Sequence, residues 1–186
     1  MDFQYENNIG VESLMKKGLL MAFGLLLSLM LVACSNNEPN EEGTQDIKEK
    51  VHEYSVGSFG DVTASITSHE LIVTDDGKET SFDLPEDEFF VSIAPFVAVT
   101  HECAIHSLTG CQGELVEKDF DVYIEDEEGN VVMDETIASL ENGFIDLWLP
   151  RDQTLQVKIE HDGKTVESEI STFEGDNTCI TTMQLT

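Results

Sequence analysis

The stretch FDVYIEDEEGNVVMDE, residues 120–135, reads as two β-strands joined by a turn. Phe120–Glu125 and Val131–Glu135 are strand-like, and Asp126–Asn130 between them has the acidic, Gly and Asn residues typical of hairpin turns. The same pattern recurs on both sides of this hairpin. The other predicted strands are Glu70–Thr74, Glu79–Leu84, Phe89–Thr100, Gly143–Leu149, Leu155–Glu160, Lys164–Thr172 and Ile180–Leu185. Many short strands separated by Asp/Gly turns predict a mainly β fold, an antiparallel β-sandwich-like domain.

The segment before the first strand combines a helical pattern with a polar tract. Ile47, Val51 and Tyr54 fall on one face at helical spacing and predict a short N-terminal helix over 46–54. Residues 34–50 are acidic and include Pro and Gly, which is typical of a disordered spacer. We therefore expect one β-rich domain at 51–186, preceded by this spacer.

Residues 1–33 carry the parts of a secretory signal peptide. Two lysines, at 16 and 17, precede an apolar run that is too short for a comfortable transmembrane helix. The residues ahead of them, 1–14, are acidic, so translation is predicted to start at Met15. An uncleaved helical anchor is the alternative to a cleaved signal.

The tetrapeptide Leu31-Val32-Ala33-Cys34 resembles the lipobox of bacterial lipoproteins. In such proteins the cysteine thiol is lipidated and cleavage occurs just before it. Two or more acyl chains are enough to hold a protein on a bilayer. The expected location is extracytoplasmic, on the bacterial cell membrane, with Cys34 as the lipidation site.

The charge of the chain argues against several partners. The sequence has 9 Lys and Arg against 38 Asp and Glu, a formal net charge of −29. Binding of nucleic acid needs a basic surface, and so does electrostatic docking to anionic lipid. We interpret the acidity as a solvated surface that keeps the protein soluble, in preference to a specific cation-buffering role.

Cysteine and histidine residues carry the functional signal. Four cysteines less the lipidated one leave an odd number, which outside the cytoplasm indicates a reactive thiol, a metal ligand, or one disulfide with one cysteine left over. The segment HECAIHSLTGC, residues 101–111, has the spacing H-x-C-x2-H-x4-C. The candidate metal ligands are His101, Cys103, His106, Cys111 and Cys179, and the three cysteines are also candidate redox thiols.

Thiolate and imidazole donors select copper(I) or zinc over magnesium and calcium, and spacing alone does not choose between the two. If the strand that ends at Thr100 continues regularly, His101 and Cys103 extend its core-facing row of side chains. A bulge at Pro95 is the alternative, and it would break that register. Met183, four residues after Cys179, is a less favoured donor because core packing is the commoner role of such a residue.

Two other functions compete with metal binding. One is a surface β-sandwich module for protein interaction, stabilised by a disulfide. The other is a thiol oxidoreductase without a dedicated metal. The sequence contains no Gly-x-Ser-x-Gly, His-Glu-x-x-His or Gly-rich phosphate loop, so hydrolase, kinase and dinucleotide-binding functions have no support.

Several motifs resemble the CueP family of exported copper-binding, copper-resistance proteins. They cover the chain from about Glu70 to the C-terminus, with the three cysteines in matching order. The matching runs are Val91–Phe96, Thr100–Cys103, His106–Thr109, Cys111–Leu115, Asn142–Ile145, Leu147–Asp152, Ser171–Phe173 and Thr178–Thr186.

The resemblance implies copper as the metal and a role in copper resistance. It implies that the protein holds copper in the cell envelope, reduces copper(II) to copper(I) with its thiols, and passes copper to a client cuproenzyme. It also suggests a homodimer. In this scheme Cys103 and Cys111 supply electrons, and Cys179 resolves their disulfide or completes the copper(I) site. The chain departs from the familiar soluble members by its lipobox, its acidic spacer and its more negative surface.

Overall fold

A computed structural model describes residues 41–186 of the chain. In that range the protein forms one helix, α1 (Glu41–Val56), and eleven strands. The strands are β1 (Thr63–Ile66), β2 (Glu70–Asp75), β3 (Lys78–Asp83), β4 (Glu88–Ile93), β5 (His106–Ser107), β6 (Asp119–Asp126), β7 (Val131–Ala138), β8 (Ile145–Pro150), β9 (Thr154–His161), β10 (Lys164–Ser171) and β11 (Cys179–Ile180). Within 41–186 no helix has the length and apolarity needed to cross a membrane. The predicted signal peptide and Cys34 lie outside the described residues.

The strands form three sheets, with the orders β3-β2-β1-β5, β10-β9-β6-β7 and β11-β4-β8. Neighbouring strands pair antiparallel, except that the short β11 runs parallel to β4. The predicted mainly β, antiparallel fold with one short N-terminal helix is confirmed. The parallel pairing of β11 with β4 matters for the candidate site because it places Cys179 beside Ser92 of β4.

Strand β4 is buried on both faces, so its sheet is the central layer. Phe89, Val91 and Ile93 belong to a core cluster with the inward-facing residues of β6 and β9. Phe90 points the other way and packs with α1 and the β1–β2 hairpin. Burying such a side chain contributes roughly 1.5–3 kcal/mol, so these two clusters hold the three layers together.

Helix α1 begins at Glu41, earlier than the predicted start at residue 46. It therefore includes residues that the sequence pattern assigned to the spacer. Ile47 and Val51 are buried in the second core cluster, as the helical spacing predicts.

A partly buried carboxylate, that of Asp146, connects α1 to the central sheet. The hydroxyl of Ser55 on α1 donates to Asp146 of β8 at 2.6 Å, and the hydroxyl of Ser92 on β4 donates to the same carboxylate at 2.5 Å. Burial raises the pKa of Asp146, and the two hydroxyl donors oppose that shift. The helix is thus fixed to the sheet by polar bonds as well as by apolar packing.

Strand β4 ends at Ile93, well before the predicted end at Thr100. Residues 94–105 contain only an isolated bridge, from Phe96 to Gln184, and Val99 is 67% exposed. His101 and Cys103 therefore do not continue the core-facing row, and that expectation is wrong. Pro95, which has no N–H for a sheet ladder, lies two residues after the end of the strand.

Candidate metal centre

The candidate site lies where the loop 94–105 meets β5 and β11. Cys179 of β11 is paired with Ser92 of β4. The backbone N–H groups of Thr178 and Cys179 donate to the carbonyl of Ala104 at 3.0 and 3.1 Å. These bonds attach the loop to β11 and bring Cys103, the neighbour of Ala104, beside Cys179.

Four of the five predicted ligands meet in one cluster. One ligand atom each of Cys103, His106, Cys111 and Cys179 lies within 4.8 Å of the others. Ligands held about 2.3 Å from one ion lie at most about 4.6 Å apart, so small side-chain movements suffice for a shared ion. The cluster is lined on its inner side by Phe144 and Ala94.

The structure contains the oxidised form of this cluster. Cys103 and Cys179 form a disulfide across a sequence separation of 76 residues. Cys111 is the free cysteine among residues 41–186, and its Sγ lies 3.5 Å from the Sγ of Cys103. The observed pairing differs from the Cys103–Cys111 disulfide of the redox scheme in the sequence analysis.

The imidazole ring of His106 is fully buried and has no hydrogen-bond partner among the described residues. Its exposed fraction is 0%, and both Nδ1 and Nε2 lack a partner. Burial, with a smaller effect from the nearby His101, lowers the pKa of His106 to about 4. The ring is therefore neutral at pH 7 and has an unshared electron pair available for a metal. A buried polar group without a partner is unusual in a native protein and points to a functional role.

The remaining candidates lie outside the cluster. His101 is exposed, with its ring centroid 6.3 Å from that of Phe144, whereas the His106 ring is 4.5 Å from the same Phe144 ring. Met183 is fully buried in the large core cluster, which agrees with its favoured role in packing. Cys34 is not among the described residues.

Two glycines hold the loop of Cys111 against the turn before β8. The N–H of Gly113 donates to the carbonyl of Asn142 at 2.7 Å. A Cβ at Gly113 would lie 2.5 Å from the carbonyl oxygen of Gly143, so only glycine permits this approach. The contact fixes Cys111 and Phe144 on adjoining segments. Gly113 and Gly143 both lie in runs that resemble the family, but the sequence does not show that they contact each other, because they are far apart in the chain.

Glu114 is a supporting residue that the sequence analysis did not single out. Its carboxylate accepts hydrogen bonds from the N–H groups of Val97 (2.6 Å), Ala98 (2.9 Å) and Val99 (3.3 Å). The N–H groups of Ala98, Val97 and Val99 together lower the pKa of Glu114. The loop that carries Cys103 is therefore tied to the loop that carries Cys111.

Replacing Glu114 by Ala should loosen residues 97–99. Their amides lose a charged acceptor, and we expect several-fold faster hydrogen exchange at these positions, measured by NMR. Glu114→Gln retains one acceptor oxygen and should show a smaller increase. The amides of β6 and β9 serve as an internal control; equal acceleration there would mean general destabilisation and would contradict the local role.

The donor set indicates which metals suit the site. Three sulfurs and one neutral imidazole are soft or borderline donors, which favour copper(I) or zinc and disfavour calcium and magnesium. In the disulfide form only Cys111 and His106 remain as donors in the cluster. The site can therefore offer its full donor set only after reduction.

Comparisons with known proteins agree with these features. The family model described as "Periplasmic copper-binding protein CueP" matches residues 46–184. A solved structure, "Crystal Structure of S.CueP", is 36% identical, with coverage of 75% of this chain and 89% of that chain and a TM-score of 0.72. No protein with a curated description matches. The matched region contains the whole cysteine and histidine cluster, and the chain belongs to the CueP family of periplasmic, and hence extracytoplasmic, copper-binding proteins.

Proposed function

We propose that this protein binds copper(I) through the thiolates of Cys103, Cys111 and Cys179 and the imidazole of His106. The observation that supports this most is the buried His106 ring, which has no hydrogen-bond partner within residues 41–186 and has a nitrogen within 4.8 Å of three sulfurs. Family membership favours copper over zinc, which remains the less favoured alternative. The neutral ring needs no proton removed before it binds a metal at pH 7.

The same thiols are proposed to reduce copper(II). When the Cys103 and Cys179 thiolates join as a disulfide, they release two electrons, which convert two copper(II) ions to two copper(I) ions. The Cys103–Cys179 disulfide of the structure is the bond that this step would form, which supports the proposal. His101, exposed near the cluster, is proposed as the first contact for the incoming ion.

The proposal also includes attachment of the protein to the membrane and delivery of copper to a client enzyme. The lipobox supports a lipid anchor at Cys34. An anchored protein would keep copper at the membrane surface and pass it to an envelope cuproenzyme. A homodimer is the assembly suggested by the resemblance.

The deciding experiment is an anaerobic copper(I) titration of the fully reduced protein against a chromophoric chelator. We expect Cys103→Ser to lose binding by at least about 10²-fold, since it removes a central sulfur ligand. Met183→Leu is the matched control; it removes a buried sulfur outside the cluster and should leave the affinity unchanged. Weak binding that is equal in the wild-type and Cys103→Ser proteins would overturn the copper site.

One observation favours a second function, thiol oxidoreductase activity without a dedicated metal. The Cys103–Cys179 disulfide lies beside the free thiol of Cys111, as exchange chemistry requires. Reduction of a substrate disulfide that is unaffected by a copper chelator would support this function. Neither the cluster nor the comparisons add support to the interaction module.

A further inference from the structure

Thr178 is a buried threonine whose polar groups all bond across element boundaries. Its exposed fraction is 1%. Its N–H donates to the carbonyl of Ala104 at 3.0 Å, and its carbonyl accepts from the N–H of Ser92 on β4 at 2.8 Å. Its hydroxyl accepts from the backbone N–H of His106 at 3.0 Å and donates to the carbonyl of Ile66 at 2.6 Å.

The hydroxyl of Thr178 lies between two paired strands, β1 and β5. Ile66 of β1 and His106 of β5 face each other as paired residues. The Thr178 hydroxyl accepts from the N–H of His106 and donates to the carbonyl of Ile66, so it bridges the two strands. The outer sheet that carries His106 is thus joined to the residue directly before Cys179.

We infer that Thr178 is a positioning residue that sets the distance between the imidazole of His106 and the sulfurs of Cys103 and Cys179. This inference rests on the proposed copper(I) site. Thr178 precedes Cys179, bonds the backbone of His106, and bonds Ala104 next to Cys103.

The role of the hydroxyl is greatest in the reduced protein. In the oxidised form the disulfide itself holds Cys103 beside Cys179. Once that bond is open, the segments of Cys103, His106 and Cys179 are still connected by the polar bonds of Thr178, together with the bond from the Cys179 N–H to Ala104. Supporting groups that orient metal ligands are worth about 10- to 100-fold in metal affinity.

Three variants test the inference. Thr178→Val keeps the shape and removes the hydroxyl, whereas Thr178→Ser keeps the hydroxyl. Thr172→Val is the matched control, because Thr172 is 0% exposed and its hydroxyl bonds only the backbone of Pro150 and Gln153. If Thr178→Val does not fold, Thr178→Ala replaces it.

The first measurement is copper(I) affinity of each reduced protein in the chelator competition. We expect Thr178→Val to bind about 10- to 100-fold more weakly, Thr178→Ser to bind within about threefold of wild type, and Thr172→Val to match wild type despite its lower stability. Wild-type affinity in Thr178→Val, with Cys103→Ser still defective, would overturn the positioning role and leave the proposed function standing.

The second measurement does not use copper. The rate at which the Cys103–Cys179 disulfide re-forms in reduced protein is followed with a small-molecule disulfide oxidant. About tenfold slower closure in Thr178→Val, but not in Thr178→Ser or Thr172→Val, supports the positioning role even if wild-type protein were found not to bind copper(I). Equal rates in all four proteins would overturn it.

Discussion

Reduction of the Cys103–Cys179 disulfide should raise the affinity of this protein for copper(I) at least about 10³-fold. The oxidised cluster offers Cys111 and His106, whereas the reduced cluster adds two thiolates. Four-ligand metal sites in small proteins yield roughly 10–16 kcal/mol, or about 3 kcal/mol per ligand. Two lost ligands therefore correspond to about 6 kcal/mol, more than the roughly 4 kcal/mol of a 10³-fold change. The measurement is a competition titration of one preparation before and after anaerobic reduction.

Cys111→Ser provides the control for this redox dependence. Its oxidised form has no free sulfur in the cluster and should bind copper(I) more weakly than oxidised wild type. Its reduced form keeps the Cys103 and Cys179 thiolates and should have intermediate affinity. If oxidised wild-type protein bound copper(I) as tightly as the reduced form, the sulfurs of Cys103 and Cys179 would not be ligands.

The hairpins of this fold are readable from the sequence because their causes are local. In the turn after β6, the carboxylate of Asp126 accepts from the N–H groups of Glu128 and Asn130 at 2.9 and 2.8 Å. In the turn after β9, Asp162 and Gly163 adopt φ angles of 52° and 75°, which Asp and Gly tolerate best. Such residues indicate a turn wherever it lies in the chain, so the positions of the strands on either side can be predicted from it.

The assembly of the metal centre depends on contacts that no short window of sequence contains. The sequence predicted both His101 and His106 as ligands, yet only His106 enters the cluster, because β5 pairs with β1 and buries it. Cys179 pairs with Cys103 because β11 adds in parallel to β4. Thr178 stands in one of the matching runs, but no local pattern indicates its role, since its partners lie on three separate segments.

Replacing His106 by Leu should make the copper-free, oxidised protein more stable and its reduced form a weaker copper(I) binder. A buried polar group without a partner costs about 1–3 kcal/mol, and leucine of similar size removes that cost. We therefore expect the free energy of unfolding to rise by up to this amount at pH 7, measured by urea denaturation. The copper(I) titration should show a loss of about 10-fold or more, because one of four ligands is gone.

His161→Leu is the matched control for the stability effect. His161 is partly exposed, its Nδ1 contacts the carbonyl oxygen of Asp119 at 2.8 Å, and its ring packs on Phe120. Since this ring already has a partner, its removal should not stabilise the protein. A gain in stability in both variants would mean that any added apolar surface stabilises this fold, which would contradict a specific cost at His106.

The pH dependence of stability independently tests whether the buried His106 ring is held neutral. The pKa of His106 is about 4 in the folded protein, against 6.5 for an unperturbed histidine, so the unfolded chain binds more protons between these values. Wild-type stability is therefore complete above pH 6.5 and is lost as the pH falls toward 4, by about 3 kcal/mol from this group. His106→Leu lacks this loss, so its advantage over wild type should grow on acidification. An advantage that stayed constant from pH 7 to pH 4 would show that the imidazole is not held neutral. Binding of a metal ion by the His106 ring would offset this cost, which explains why an imidazole is buried at this position.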